Sequence, residues 1–153
     1  MNNASSTRME LKRKLEKLLN FLKGILKEEM VIGSVYVAAR YLSSRLSNDS
    51  CSARRAHVIG TAGLCQELQP AGFDISGGPD IIDTACGMSR DELAAYPFLE
   101  GKIDAMVIGL DADFNYRKFC IATVLLQRNP QAILVATNRD SFDLVGVDGR
   151  HLS

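Results

Sequence analysis

"IDAMVIGLDADFNYRKFCIATVLLQRNPQAILVAT", residues 103–137, decides the fold. It opens on IDAMVIG (103–109), an apolar run closed by glycine and too short for a buried helix, which reads as a buried strand. FNYRKFCIATVLLQR (114–128) follows with its apolar residues at helical spacing, an amphipathic helix. AILVAT (132–137) is a second buried strand. Two strands apolar throughout, joined by a helix, form a parallel pair with a crossover.

Working outward, the same pattern recurs upstream. AHVIG (56–60) predicts a strand, and a short helix from Thr61 should stop around Pro70 and Gly72. GFDISGGPD (72–80) is a strand or turn closed by glycines. Residues 79–102 are the least regular, with one small helix, SRDELAAY (89–96), whose Ser89 and Glu92 make a capping-box pair. A helix is expected over Ser34–Leu46, followed by the polar connection LSNDSCSARR. Residues 7–27 read as a long amphipathic helix opened by the capping pair Thr7 and Glu10. Leu11, Leu15, Leu18, Leu19, Leu22, Ile25 and Leu26 repeat along it. The tail NRDSFDLVGVDGRHLS (138–153) is loop-like, with room for a short strand or hairpin. The fold class is α/β: a small parallel-type sheet with crossover helices, preceded by a long amphipathic helix.

With 153 residues the chain has one domain's length, enough to bury a core. Eighteen basic and eighteen acidic residues cancel, so no global field recruits nucleic acid or an acidic membrane. Residues 1–30 are locally basic, which reads as the solvated face of the first helix. No apolar run reaches membrane-spanning length and no secretory leader is visible, so the cytoplasm is the expected location. Cys51, Cys65, Cys86 and Cys120 lie far apart, and only His57 and His151 could join them. This predicts free thiols in a reducing compartment and no zinc cage. His57 begins a buried strand and reads as a packed histidine. Gly60 and Gly63 lack the full dinucleotide fingerprint and read as a tight strand–helix turn, with Thr61 capping the helix.

Asp111 and Asp113, one residue apart at a strand end, raise a sharper question. That disposition lets one carboxylate attack phosphorus and its neighbour protonate the leaving group, with Mg²⁺ bridging carboxylate and phosphate. Such a site also needs a Ser or Thr ending a second strand, then a lysine, then a further acidic pair. Thr137 supplies the first, but no lysine follows it. The other reading makes Asp113 and Asn115 N-caps of the following helix. A miniature active site with Asp111 as nucleophile stays as an alternative.

Three stretches together carry a resemblance: NNASSTRMELKRKLEKL, AHVIGTAGLCQELQPAGFDISGGPD, and IDAMVIGLDADFNYRKFCIATVLLQRNPQAILVATNRD. In this order they resemble the middle of haloacid dehalogenase (HAD) superfamily phosphatases. The group is the C2-capped one of 4-nitrophenyl-, phosphoglycolate and pyridoxal phosphatases. The resemblance implies that residues 1–30 are a remnant of the catalytic core, with its phosphate-loop helix, and residues 31–153 the cap. It implies that GLDADFNY belongs to the cap and that the nucleophile stands upstream of Asn2 and Asn3. Those two asparagines would belong to the phosphate-holding motif, with Met1 where a hydroxyl residue is expected. Asp140 and Asp143 fall on the substrate-specificity loop, where Asp143 would meet the leaving group. No catalytic or metal-ligating residue is assigned to this chain, and Mg²⁺ is implied only for the complete enzyme. The expected function is hydrolysis of a small phosphorylated metabolite, with this chain as a cut-down product that supplies the selecting cap. The expected association is a homodimer through the cap. The alternative is a non-catalytic binding or dimerisation module.

Overall fold

The central strand of the sheet, β3 (Ala105–Ile108), lies between β1 (Arg54–Ile59) and β4 (Ile133–Ala136), and β2 (Phe73–Gly77) flanks β1. All pairings are parallel, in the order β2-β1-β3-β4, with Ala56 opposite Ile75 and Ala105, and Ala105 opposite Ile133. The computed structural model describes residues 6–46, 54–80, 89–96, 99, 101–138, 143–145 and 150–152. Residue 80 and the last two stretches are described through their backbone alone. The expected α/β class and its parallel sheet are what the chain forms.

Alternation along the strands sorts the core into two layers. Ala56, Val58, Ala105 and Val107 face α2 (Ser34–Arg45) and α3 (Ala62–Leu68), which contribute Val35, Ala38, Ala39, Leu42, Leu64 and Leu68. Ile59 and Met106 face the other way, against Ile121, Ala122 and Leu125 of α5 (Tyr116–Arg128), with Leu99 and Ile103 beside them. Helices thus cover both faces, which is why the buried stretch of β1 (56–59) and β3 carry no polar side chain except His57. That histidine is fully buried and shares a 3.0 Å hydrogen bond, through Nδ1, with Ser76 Oγ on β2. Burial pushes its pKa down to about 4.

Of the smaller elements, α4 (Arg90–Ala94) has the expected capping box between Ser89 and Glu92. The tail forms an antiparallel pair, β5 (Asp143–Val145) with β6 (Arg150–Leu152). Thr61 stands at the N-cap of α3, but its side chain makes no cap hydrogen bond.

The first helix departs from expectation. α1 spans Arg8–Leu18, with the Thr7–Glu10 capping box in place, and does not continue to residue 27. Leu19 leaves the helical region at φ −123°, ψ 78°, and a 3₁₀ turn follows over Asn20–Leu22. Asn20 is a weak helix former, and Gly24 takes φ +79°, a left-handed conformation that a helix cannot include. The leucine stripe is divided accordingly. Leu11 is buried and Leu15, Leu22 and Leu26 are half-buried. Leu18, Phe21, Ile25, Met30 and Ile32 are each more than half exposed.

Candidate functional site

In a parallel sheet the loops leaving the carboxyl ends of the strands gather at one edge, and ligands bind where the strand order reverses. Here the reversal lies between β1 and β3, since β1 leads outward to β2 and β3 leads the opposite way to β4. Gly109, leaving β3, donates its N–H to Ile59 O of β1 at 2.8 Å, and Thr137, leaving β4, donates to Ile108 O at 2.9 Å. The loop from Gly109 to Asn115 is the largest described feature of this edge.

Its geometry is set by Asp111. Oδ1 accepts the N–H of Asp113 at 3.1 Å, closing an Asx-type turn, and Oδ2 meets Lys118 Nζ at 2.7 Å. The two side chains are 8% and 2% exposed, so this is a buried ion pair. Asn115 caps α5, its Oδ1 accepting the Lys118 N–H at 3.0 Å, as one of the two sequence candidates should. Asp113 is not the cap; its backbone serves the Asx turn. Around the pair Leu110, Phe114, Tyr116 and Phe119 present exposed apolar surface. The Tyr116 hydroxyl is raised above its ordinary pKa, first by its hydrogen bond to the Cys120 thiol and then by that thiol's charge.

Of the four residues expected to bind substrate, Asn2, Asn3 and Asp140 lie outside the described residues. Asp143 opens β5, described through its backbone. Among the described residues no group of three or more His, Cys, Asp or Glu side chains is placed to hold a metal ion. The described carboxylates thus assemble no ready-made cluster for Mg²⁺. Nor, among the described residues, is any helix long and apolar enough to cross a membrane.

No protein-family model matches the chain. Individual relatives do. Phosphoglycolate phosphatase 1A, chloroplastic, of Arabidopsis thaliana is 35% identical over 144 residues, covering 92% of this chain and 36% of its own length. Glycerol-3-phosphate phosphatase of Gallus gallus is 36% identical over 141 residues, covering 92% of this chain and 42% of its own. This chain belongs to the HAD phosphatases. The solved glycerol phosphate phosphatase of Mycobacterium tuberculosis, in complex with magnesium, superposes with a TM-score of 0.64 at 23% identity. That match covers 97% of this chain and 36% of that one, and at this identity it speaks for the fold alone. The HAD chain thus spans well under half the length of the curated relatives it matches.

Lys118 is the functional-edge residue that sequence reading missed. Its signal was present: it lies on the face of α5 that carries Ile121, Ala122 and Leu125, at helical spacings of three, four and seven. A lysine set in such a stripe cannot reach the core unpaired, and a carboxylate in the preceding loop is its nearest partner.

Proposed function

We propose that this HAD chain is a substrate-selecting cap. It closes over a small phosphorylated metabolite and leaves phosphoryl transfer to a catalytic portion such as its relatives possess. The observation that carries this reading is the state of Asp111, which follows β3 with the spacing of a nucleophile. Both of its oxygens are engaged, one by a backbone N–H and one by a buried ammonium, and the group is nearly closed to solvent. A nucleophile must present an accessible oxygen to phosphorus; Asp111 is committed to shaping its loop.

On this proposal residues 31–153 are the cap and residues 1–30 belong with the catalytic core. Asn2 and Asn3 hold the phosphate, while Asp140 and Asp143 reach the substrate from the specificity loop. A carboxylate at Asp143 disfavours an acidic leaving group and suits a neutral one. Mg²⁺ belongs to the catalytic portion, and the cytoplasm is the proposed location. The second reading, a binding module that dimerises and catalyses nothing, is favoured by one observation. The exposed strip of Leu18, Phe21, Ile25, Met30 and Ile32 calls for a cover, which is a catalytic core on the first reading and a second copy on the other.

A graft tests the first reading. Residues 31–153, replacing the matched cap of the Mycobacterium tuberculosis glycerol phosphate phosphatase, should give a folded chimera that hydrolyses phosphomonoesters with Mg²⁺. The chain 1–153 alone should release no 4-nitrophenol above blank. Turnover by 1–153 that disappears in Asp111→Asn, or a folded but inactive chimera, would overturn the proposal.

A further inference from the structure

Lys118 is a costly residue for the place it occupies. It stands in the first turn of α5, where the helix dipole disfavours a cation, and its side chain is almost fully buried, which disfavours one further. It shares the buried face of that helix with Ile121, Ala122 and Leu125. A methionine there would extend the apolar stripe with no charge to desolvate. What the lysine supplies is direction. The loop after β3 curls on itself through short-range bonds: the Phe114 N–H donates to Asp111 O at 3.3 Å, and Asn115 Nδ2 donates to Asp113 O at 3.2 Å. Lys118 Nζ, 2.7 Å from Asp111 Oδ2, ties that curl to the helix packed on the sheet. Asn115 holds the same residue by its backbone N–H, so main chain and side chain of Lys118 grip the loop together.

The loop so held is the middle member of a packed row. On one side the backbones of Gly60 and Gly109 approach so closely that a Cβ on Gly60 would lie 3.6 Å from Gly109 Cα. On the other, Thr137 follows β4 and donates its N–H to Ile108 O; it is buried, whereas Leu134 earlier in the strand is exposed. From Thr137 the chain runs on to Asp140 and Asp143, which the cap reading assigns to the substrate. We infer that Lys118 is a positioning residue for substrate selection. Through Asp111 it holds the exits of β1, β3 and β4 in one arrangement, from which the substrate-facing stretch departs. This role rests on the cap reading and deepens it, and it involves no contact between Lys118 and substrate. Without the tie the edge divides its time among several arrangements, and apparent affinity falls with the fraction that accepts substrate. Phosphoryl transfer, which belongs to the catalytic portion, keeps its rate once substrate is bound.

Stability and selection come apart in the variant Asp111→Asn with Lys118→Met. It keeps the side-chain oxygen that accepts the Asp113 N–H, leaves neither charge of the pair buried, and lacks the tie. On the chain 1–153, hydrogen exchange should quicken roughly tenfold or more for the amides of Gly109, Thr137 and residue 118, while Val58 and Val107 keep their protection. In the chimera that carries residues 31–153, the variant should melt close to the wild-type temperature. Its KM for 4-nitrophenyl phosphate and for glycerol phosphate should nevertheless rise roughly fivefold or more, with kcat changed by less than about twofold. A purely structural pair would return KM together with stability, so a wild-type KM in a variant chimera that melts normally overturns the role. Unchanged exchange at all three amides overturns it as well, independently of any activity. An inactive wild-type chimera fails the cap reading itself, and the role in selection falls with it.

Discussion

Lys118 Nζ lies 2.7 Å from Asp111 Oδ2, and both side chains are withdrawn from water. A pair of this kind is a weak net source of stability but a strong constraint, because either member alone leaves a buried charge. Asp111→Asn keeps the carbonyl oxygen that accepts the Asp113 N–H and removes only the countercharge. It should cost about 3–5 kcal/mol in urea denaturation. Adding Lys118→Met removes the stranded ammonium, and the double variant should recover most of that loss. A double variant no more stable than Asp111→Asn alone would show that the turn, and not the ion pair, was being measured.

His57 gives the fold a pH dependence. Its folded pKa, about 4, lies below the value of about 6.5 expected when unfolded. The unfolded chain therefore binds the extra proton between those values, and the stability that neutral His57 permits is complete above pH 6.5. It drains away as pH falls toward 4, by on the order of 3 kcal/mol in all. Urea denaturation at pH 7.5, 5.5 and 4.5 should show this slope, and His57→Asn should flatten it. Equal slopes in the two proteins would assign the acid sensitivity elsewhere.

How much of this was legible depends on the range of the interactions. β3, α5 and β4 were readable because continuous apolar strands and a helical stripe are local patterns, and Asn115 as N-cap is a three-residue relation. α1 was overdrawn because its leucines keep their period past Leu18, while Asn20 and Gly24 decide where the helix ends. The Asp-x-Asp at 111–113 was read as a loop feature by what was missing around it. What fixes that loop is Lys118, seven residues on, and only the fold shows the two to be in contact. The 2.8 Å hydrogen bond from the Arg8 N–H to Glu67 Oε1 is wholly beyond sequence reach, since 59 residues separate them.

Two glycines with nearly the same backbone separate strain from collision. Gly77 takes φ +84° and Gly24 φ +79°. An added Cβ at Gly24 meets nothing within 4 Å, whereas at Gly77 it would meet the Val58 carbonyl oxygen and lie 2.9 Å from His57 Cε1. Gly24→Ala should cost about 1–2 kcal/mol, the left-handed penalty alone. Gly77→Ala adds overpacking against β1, typically another 1–3 kcal/mol. Thermal melts of the two variants should differ in that order, and a Gly77→Ala protein as stable as Gly24→Ala would mean that β2 shifts freely.

Exposed apolar side chains set where a second molecule would dock. A plain helical stripe would nominate Leu15 and Leu22 for substitution, but both are half-buried. Phe21 and Ile25, 72% and 66% exposed, are the side chains that a second molecule would meet. Burying one such residue at a contact is worth about 1.5–3 kcal/mol, so a few of them offset much of the entropy of association. Phe21→Glu with Ile25→Glu should raise solubility and move sedimentation toward the monomer at tens of micromolar, on the order of ordinary working concentrations, with no loss of thermal stability. Leu15→Glu with Leu22→Glu should instead lower the melting temperature, because charges would enter half-buried positions. If the first pair changes neither solubility nor sedimentation, the strip is not the associating surface. The edge bearing Leu110, Phe114, Tyr116 and Phe119 becomes the next to vary.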